Sequence, residues 1–366
     1  MIDTFEECRK ISDLLNGGDE EAARNCLIKL LDAFEQSNQP YNPLVNHLIR
    51  ELGLYPYIEA EHAGWEDQFV KHLFETDIGG GKVATLHREQ SRLLKALLSG
   101  KDLAISAPTS FGKSFVIDAF IAIKKPKNVV IIVPTIALTD ETRRRLYKKF
   151  ARDYKIITTS DVPLGEKNIF IFPQERALGY LDKINELDIL IVDEFYKADS
   201  KYDDDRSPSL LRAIAHLKKV AKQRYFLAPN IEAINDNPFT DGMEFIPFDL
   251  NTVFLEKHNW YEKIGKDKEK KAEIFLKLIN KLDNRKTLVY AGTYPEITAI
   301  STLLLADIRP ADVSDILQKF ISWLGKNYGS AWVLPKLIAR KTGLHNARLH
   351  RPLTQIQVKL FEAENG

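Results

Sequence analysis

The first chemical signal in the sequence is a phosphate-binding loop. The apolar run from Leu103 to Ala107 predicts a buried strand, a short polar loop follows it, and Gly112-Lys113-Ser114 opens an apolar stretch that predicts a helix. Backbone amides at a helix N-terminus bind anions, because they point outward and carry the positive end of the helix dipole. The pattern predicts a polyphosphate site, although Ala107 stands where such loops usually begin with glycine.

The residues of this loop have separate expected roles. The amides from Ser110 through Phe111 and Gly112 to Ser114 are expected to point at phosphate oxygens, and Gly112 lets the backbone pass close to them. Lys113 is expected to reach the β- and γ-phosphates, and the hydroxyl of Ser114 to coordinate Mg²⁺.

A second motif pairs a buried strand with two carboxylates. Asp188 to Val192 is apolar after its first residue, and Asp193-Glu194 follows directly. The carboxyl ends of parallel strands line the ligand crevice of such sheets. Asp193 is expected to hold Mg²⁺ through water, and Glu194 to position and deprotonate the attacking water. The alternative is a core strand with an acidic exit, but the phosphate loop upstream favours an ATPase site.

Together these motifs resemble those of superfamily 2 helicases of the DExH/DEAD-box type. Ala107–Ser114 resembles their motif I, and Asp193-Glu194-Phe195-Tyr196 resembles their DExH/DExD box. The resemblance implies ATP and Mg²⁺ as cofactors. It also makes Gln90, which precedes the loop, the adenine-reading glutamine of the family, since an amide can both donate to and accept from the adenine edge. The alternative for Gln90 is an ordinary surface position on a helix.

The same resemblance implies a track for single-stranded DNA or RNA. Pro134-Thr135 resembles motif Ia, and Arg176 lies in a segment that resembles motif Ib with Gln174 inserted. Such groups hold phosphates without reading bases, and the alternative for each is a strand-to-helix turn. The basic cluster Arg143–Arg145 is equally consistent with a nucleic-acid contact and with a solvated helix face. Leu227–Asn230 stands where the family has motif III but lacks its hydroxyls, so we expect the link between ATP and unwinding to be altered or carried by Asn230.

The order of predicted elements divides the chain into three parts. Residues 1–85 predict a helical domain in which Gly79-Gly80-Gly81 is a flexible linker, because no buried strand precedes it. Residues 86–245 predict an α/β domain, a RecA-like doubly wound parallel sheet that binds ATP. Residues 246–366 resemble a partial second RecA-like domain opening with a strand at Lys286–Ala291. The strands predicted for the first sheet are Leu103–Ala107, Val129–Val133, Lys155–Thr158, Asn168–Phe172, Asp188–Val192 and Tyr225–Ala228.

The last part also resembles the Ski-type branch of the family. Gly343–Leu349 and Phe361–Gly366 resemble two of its segments, with Asn346 and Arg348 as departures. Arg348 belongs to a basic patch that could follow a phosphate backbone or be a solvated face. The other members of the patch are Lys336, Arg340, Lys341 and Arg351. No zinc site is predicted at His345 and His350.

Composition limits which partners and which cellular compartment the sequence is consistent with. The 366 residues are 44% hydrophobic and 28% charged, with a net charge of +1, so a nucleic acid must bind to local patches. No apolar run is long enough to cross a membrane, and the acidic N-terminus is unlike a secretory signal. Two cysteines give no disulfide framework, which favours a cytoplasmic location.

These observations predict the ATP-binding portion of a helicase or translocase. The sequence stops before the family's motif V loop and motif VI arginine, so we expect the chain to bind ATP, to hydrolyse it poorly, and to be the N-terminal piece of a longer enzyme. One alternative is an ATP-gated sensor or scaffold, as in a bacterial antiphage defence complex, in which residues 1–85 hold a protein partner. Another is an ATPase that never meets nucleic acid.

Overall fold

The computed structural model describes residues 3–159, 162–282 and 285–363, and the chain separates into two compact units, Met1–Leu255 and Glu256–Gly366. The first unit opens with four helices, and side chains cap the N-termini of the first three. Asp19 accepts a hydrogen bond from the amide of Ala22 (3.0 Å), and Asn42 accepts one from Val45 (2.9 Å). The helices are α1 (Thr4–Asn16), α2 (Glu20–Gln36), α3 (Pro43–Glu51) and α4 (Trp65–Leu73).

The triple glycine forms an ordered hairpin turn, so the prediction of a flexible linker is wrong. Strand β1 (Glu75–Asp77) pairs antiparallel with β2 (Val83–Thr85), and the turn is closed by a hydrogen bond from Ile78 N to Lys82 O (2.9 Å). All three glycines have positive φ, which glycine adopts without steric cost. Gly79 also packs directly against the ring of Phe150. Glycine is needed here for geometry and close contact rather than for flexibility.

We expect Gly79→Ala to destabilise the first unit more than Gly81→Ala. Both residues have positive φ, +85° and +70°, so both variants carry the cost of about 1–2 kcal/mol for a side chain in that region. A Cβ at Gly79 would lie 2.4 Å from Phe150, whereas one at Gly81 meets nothing within 4 Å. Overpacking adds about 1–3 kcal/mol at Gly79 alone. Urea unfolding of both variants measures the difference, and equal losses would contradict this packing.

A seven-stranded sheet forms the centre of the first unit, and all of its neighbouring strands are parallel, in the order β5-β6-β4-β7-β8-β3-β9. This is the predicted RecA-like doubly wound sheet, and the six predicted strands are confirmed with ends shifted by at most one residue. Strand β9, at one edge of the sheet, was not predicted. The strands are β3 (Leu103–Ser106), β4 (Asn128–Ile132), β5 (Lys155–Ile157), β6 (Asn168–Phe172), β7 (Ile189–Asp193), β8 (Arg224–Ala228) and β9 (Glu244–Pro247).

Both faces of the sheet are covered, which is why its strands read as continuous apolar runs. Side chains alternate between two buried clusters, so that Ile191 packs in one and Val192 in the other. The cluster containing Ile191 continues into the N-terminal helices through residues such as Leu27 and Ile49. The division of the unit at residue 85 stays a prediction. The remaining helices of the unit are α5 (Arg88–Leu98), α6 (Lys113–Lys124), α7 (Ile136–Phe150), α8 (Gln174–Ala177) and α9 (Ser207–Leu217).

The described residues of the second unit, 256–282 and 285–363, form helices and loops without a strand, so the strand predicted at Lys286–Ala291 is wrong for this structure. Leu288 and Tyr290 are 87% and 94% exposed. The prediction of a partial second RecA-like domain stays untested, and residues 364–366 of the predicted Phe361–Gly366 segment lie outside the described chain. The helices are α10 (Tyr261–Ile264), α11 (Lys268–Lys281), α12 (Tyr294–Asp307), α13 (Asp315–Tyr328), α14 (Val333–Ile338) and α15 (Arg351–Ala363).

No helix among residues 3–159, 162–282 and 285–363 is long and apolar enough to span a bilayer. The two cysteines, Cys8 and Cys26, are not bonded to each other.

Candidate nucleotide site

Three strands deliver the predicted catalytic residues to one edge of the sheet. β3, β7 and β8 are neighbours, and in this register Asp193 lies opposite Leu227 while Ser106 lies opposite Ala228. All three strands end at this level because they run in parallel. The loop after β3 and the carboxylates after β7 therefore meet at the same edge.

Lys113 lies at the first position of α6 and turns its side chain back into the loop. Its Nζ donates to the carbonyl of Ala107 (2.6 Å) and lies 3.5 Å from the carbonyl of Ala228. Burial lowers the pKa of Lys113, and the charges of Asp193 and Glu194 oppose that change. A half-buried ammonium that rests on backbone carbonyls is available to a stronger, anionic partner.

Gln90 contacts the phosphate loop with one end of its amide and the start of its own helix with the other. Nε2 donates to the carbonyl of Phe111 (2.6 Å), and Oε1 accepts from the amide of His87 (2.9 Å). Gln90 is only 4% exposed, so it is not the surface position that the sequence left open. Gly112 has φ +76°, and a Cβ there would lie 2.7 Å from Nε2 of Gln90. The conformation of the loop thus depends on glycine at 112 and an amide at 90.

A pocket of about 320 Å³ adjoins Gln90 and the first turn of α6. Burial lowers the pKa of His87, one of its lining residues, to about 4, although a hydrogen bond to the backbone of Gly53 acts in the opposite direction. His87 is therefore neutral at pH 7. The pocket is lined by Pro56, Ala84, Thr85, Leu86, His87, Gln90 and Phe115.

The segment after β9 closes the other side of the loop. The hydroxyl of Ser110 donates to the side chain of Asn251 (3.1 Å), and that of Thr252 donates to the carbonyl of Ser110 (3.1 Å). The ring of Phe111 is fully buried and contacts the ring of Phe248, with 4.9 Å between centroids. Ser110 and Phe111 are thus held by a segment that the sequence motifs did not indicate.

The two carboxylates after β7 differ in their surroundings. Burial and the charge of Glu194 raise the pKa of Asp193, against the opposing effects of Lys113, the Glu194 amide and Arg145. Glu194 has φ +53°, an uncommon conformation for a residue other than glycine, and its carboxylate is 2.6 Å from Nζ of Lys197. Lys197 was not predicted and is the direct partner of the predicted base.

The residues present fit a magnesium ion at this edge. Mg²⁺ prefers oxygen ligands, and the hydroxyl of Ser114 and the carboxylate of Asp193 are such donors. Burial raises the pKa of Asp193, the neighbouring charge of Glu194 raises it further, and Lys113 opposes both effects. A divalent cation would supply further positive charge there.

Arg145 is tied to the helix of the phosphate loop, which excludes a purely solvated role for this member of the basic cluster. Its Nη1 donates to the carbonyl of Ser114 (3.2 Å) and to the carboxylate of Asp118. Asp118 is 1% exposed and also accepts from Lys149 (2.7 Å). Breaking a buried ion pair of this kind is costly, because the remaining charges stay buried. α6 and α7 are therefore joined directly behind Ser114.

The segment that replaces motif III contacts the loop through its backbone. The amide of Ala107 donates to the carbonyl of Ala228 (3.0 Å), and the hydroxyl of Ser106 accepts from the amide of Ile231 (2.8 Å). Asn230 has φ +45°. The contact between β3 and this segment is thus made by Ser106, a residue the sequence interpretation did not single out.

The predicted nucleic-acid residues of the first unit lie on two neighbouring turns. Thr135 caps α7 by accepting from the amide of Leu138 (3.2 Å), and Arg176 donates to the carbonyl of Thr158 (3.3 Å). Arg206 joins the two turns, since it donates to the carbonyl of Pro134 (2.8 Å) and forms two bonds with the carboxylate that precedes Arg176 in sequence. Arg206 gave no signal in the sequence, because these partners are far away along the chain.

Arg348, the residue of the second unit that was predicted to contact nucleic acid, contacts a side chain of its own unit. The guanidinium of Arg348 lies over the ring of Tyr294, 3.8 Å from its centroid. Arg340, from the same basic patch, donates to the carbonyls of Ile308 (2.6 Å) and Lys336 (2.9 Å). At least these two arginines have structural partners, and a role for Arg348 in nucleic-acid binding stays a prediction.

Comparison with known proteins places the site in a family context. Residues 87–228 match the family model of the DEAD/DEAH box helicases, and residues 1–68 match that of the anti-bacteriophage protein B N-terminal domain. Anti-bacteriophage protein B of Escherichia coli (strain K12) is 28% identical over an alignment that covers 94% of this chain and 48% of that protein. The chain therefore spans about half the length of this curated relative.

Solved structures that align with part of the chain include a helicase and an ATPase core. The crystal structure of the DUF1998 helicase MrfA bound to DNA and AMPPNP aligns with a TM-score of 0.42 and 14% identity, covering 69% of this chain and 41% of that one. The Sulfolobus solfataricus SWI2/SNF2 ATPase core in complex with dsDNA aligns with a TM-score of 0.31 and 15% identity, covering 40% and 32%.

Residues 87–228 thus match a DEAD/DEAH box helicase domain, and the match includes the phosphate loop and the two carboxylates after β7. Beyond that domain, the chain is similar to anti-bacteriophage protein B along most of its length.

Proposed function

We propose that this chain carries the ATP-binding part of an ATP-dependent helicase or translocase that acts on DNA or RNA. The observation that carries the proposal is the meeting of Lys113, Asp193 and Glu194 at one edge of a parallel sheet, within a DEAD/DEAH box domain. Each of these side chains lies within electrostatic range of the other two. This combination suits the binding of a triphosphate together with a divalent cation and a water molecule.

In this proposal the nucleotide extends from the pocket beside Gln90 to the carboxylates. The base lies in the pocket lined by Leu86, His87 and Phe115, while the phosphates lie on the amides of the loop. Lys113 leaves the carbonyls of Ala107 and Ala228 and binds the β- and γ-phosphates. Ser114 and Asp193 would hold Mg²⁺, which would supply positive charge beside those phosphates.

The polymer track is proposed on Pro134, Thr135 and Arg176. These residues lie on turns joined by Arg206, and α7, whose N-terminus Thr135 caps, contacts the helix of the phosphate loop through Arg145. A movement of α6 on ATP binding would then be transmitted through α7 to the turn at Thr135. Phosphate contacts of this kind bind a strand without reading its sequence.

The test is the ATPase rate of the full-length native protein with and without single-stranded DNA and RNA. We expect a severalfold or larger stimulation by one polymer, weakening with added salt because phosphate contacts release counterions. An ATPase rate that neither polymer changes would reject the translocase function, and the salt series separates weak binding from none.

A second function is favoured by the match of residues 1–68 to an antiphage protein domain. Here ATP and nucleic acid control a protein partner during phage defence in the cytoplasm, without unwinding. Full-length protein that unwinds duplexes by itself, and loses no protein interaction when residues 1–85 are deleted, would reject it.

A further inference from the structure

Helix α4 presents a row of three large apolar side chains to solvent. Trp65, Phe69 and Leu73 are 76%, 57% and 62% exposed. Their spacing of four residues places them in one ridge along two turns of the helix. Single exposed apolar residues are common on protein surfaces, but a contiguous row marks an interaction site.

The inward side of α4 holds it to the protein through polar contacts and through Val70, which packs against the buried core. Asp67 is 5% exposed and lies 3.3 Å from the guanidinium of Arg50 on α3, and Lys71 donates to the carbonyl of Ile58 (2.5 Å). A surface helix usually turns its apolar face inward and its charges outward. α4 exposes its largest apolar residues to solvent, while the inward contacts of Asp67, Val70 and Lys71 hold the helix in place. The row of Trp65, Phe69 and Leu73, called the ridge below, is therefore fixed and accessible to a partner.

The surroundings of the ridge carry a net negative charge. Residues 59–77 contain six carboxylates and one lysine, Lys71. Glu61, Glu66 and Glu75 are exposed. Glu66 lies 3.0 Å from Arg50 and Glu75 lies 3.1 Å from His72, so part of this charge is compensated locally. Negative charge repels nucleic acid and anionic lipid, and it also repels a second copy of the same surface. A positively charged polypeptide is the complementary partner.

We propose that the α4 ridge, Trp65, Phe69 and Leu73, docks an amphipathic helix of another protein whose apolar face is flanked by lysine or arginine. A row at four-residue spacing fits the groove between the corresponding rows of a second helix, which is the commonest packing of helices in proteins. Aromatic residues at the centre and charges at the rim are the usual composition of such interfaces. None of the three ridge residues lines the pocket beside Gln90.

The experiment places the photo-crosslinking residue benzoylphenylalanine at position 69 of the full chain in its native cells, before and during phage infection. We expect one dominant protein adduct, with the crosslinked peptide in a basic amphipathic helix. The adduct protein is then purified and titrated against the unlabelled chain. Trp65→Ala and Phe69→Ala are expected to weaken binding at least tenfold each, as central aromatic residues do.

Two matched variants complete the test. Tyr147→Ala removes an equally exposed aromatic residue from α7 (61% exposed) and is expected to leave the affinity unchanged. The double variant Glu61→Lys/Glu75→Lys is expected to weaken binding at low salt and to approach the wild type at high salt. Because the three ridge residues are exposed, circular dichroism is expected to show folded variants. An adduct with nucleic acid, lipid or a second copy, no adduct, or affinity that survives both alanine variants would overturn the proposal.

Discussion

Replacing Lys113 with alanine is expected to raise the Kd for ATP-Mg²⁺ by about 100-fold or more. Lys113 is the cation nearest the loop amides in the proposed complex, and removing one member of a buried charge contact costs about 2–5 kcal/mol. The variant without nucleotide loses little folding stability, because the ammonium of Lys113 is desolvated in the folded protein and its pKa is lowered by burial. We therefore expect the thermal midpoint to change by only a few degrees.

Fluorescent ATP analogues report the Kd, and a matched lysine on the same helix provides the control. Lys124 lies at the far end of α6 and is exposed, so Lys124→Ala is expected to bind nucleotide as the wild type does. Binding by Lys113→Ala within threefold of the wild type would show that the loop is not the phosphate site. A large loss of thermal stability would instead indicate that the bond from Lys113 to Ala107 holds the loop together.

The phosphate loop and the carboxylate strand were predictable because their chemistry is local in sequence. Leu103–Ala107 and Asp188–Val192 are short apolar runs, and each is followed at once by the polar residues that it positions. A strand covered on both faces leaves such a run, and the sheet register then brings the two ends together. Length, polarity and order along the chain are sufficient to predict this geometry.

Contacts between distant segments left no such local signal. Arg206 reaches Pro134 across 72 residues, and Ser110 contacts Asn251 across 141. Lys197 lies only three residues from Glu194, but that pairing depends on the uncommon backbone conformation at Glu194. The residues that hold the site together are thus specified by the tertiary fold, whereas the residues proposed to contact the ligand were indicated by motifs.

Two wrong predictions have the same physical origin. Lys286–Ala291 has the apolar, β-branched composition of a central strand, yet a strand is stable only when neighbours pair with its backbone, and the described residues of that unit form no sheet. Gly79–Gly81 has the composition of a linker, yet Phe150 and Lys149 pack against it. In both cases the surroundings, rather than local propensity, determine the conformation.

Replacing Glu194 with glutamine is expected to preserve ATP binding and to lower the hydrolysis rate of the full-length protein by about 10²–10⁴-fold, the usual contribution of a general base. Glutamine has the same shape and can still accept from Lys197, so the turn after β7 is kept. The negative charge of Glu194 raises the pKa of Asp193, and its loss therefore lowers that pKa. Asp193 then stays ionised to lower pH, which favours cation binding.

Single-turnover hydrolysis together with the Kd for ATP separates chemistry from binding. Glu186→Gln is the matched control, because Glu186 also pairs with a lysine (Lys222, 2.6 Å) but lies before β7 rather than after it. Normal turnover in Glu194→Gln would exclude this residue as the base. Loss of binding and turnover together would assign Glu194 a structural role, and Lys197→Ala would then reproduce the loss, because it removes the same ion pair without touching the carboxylate.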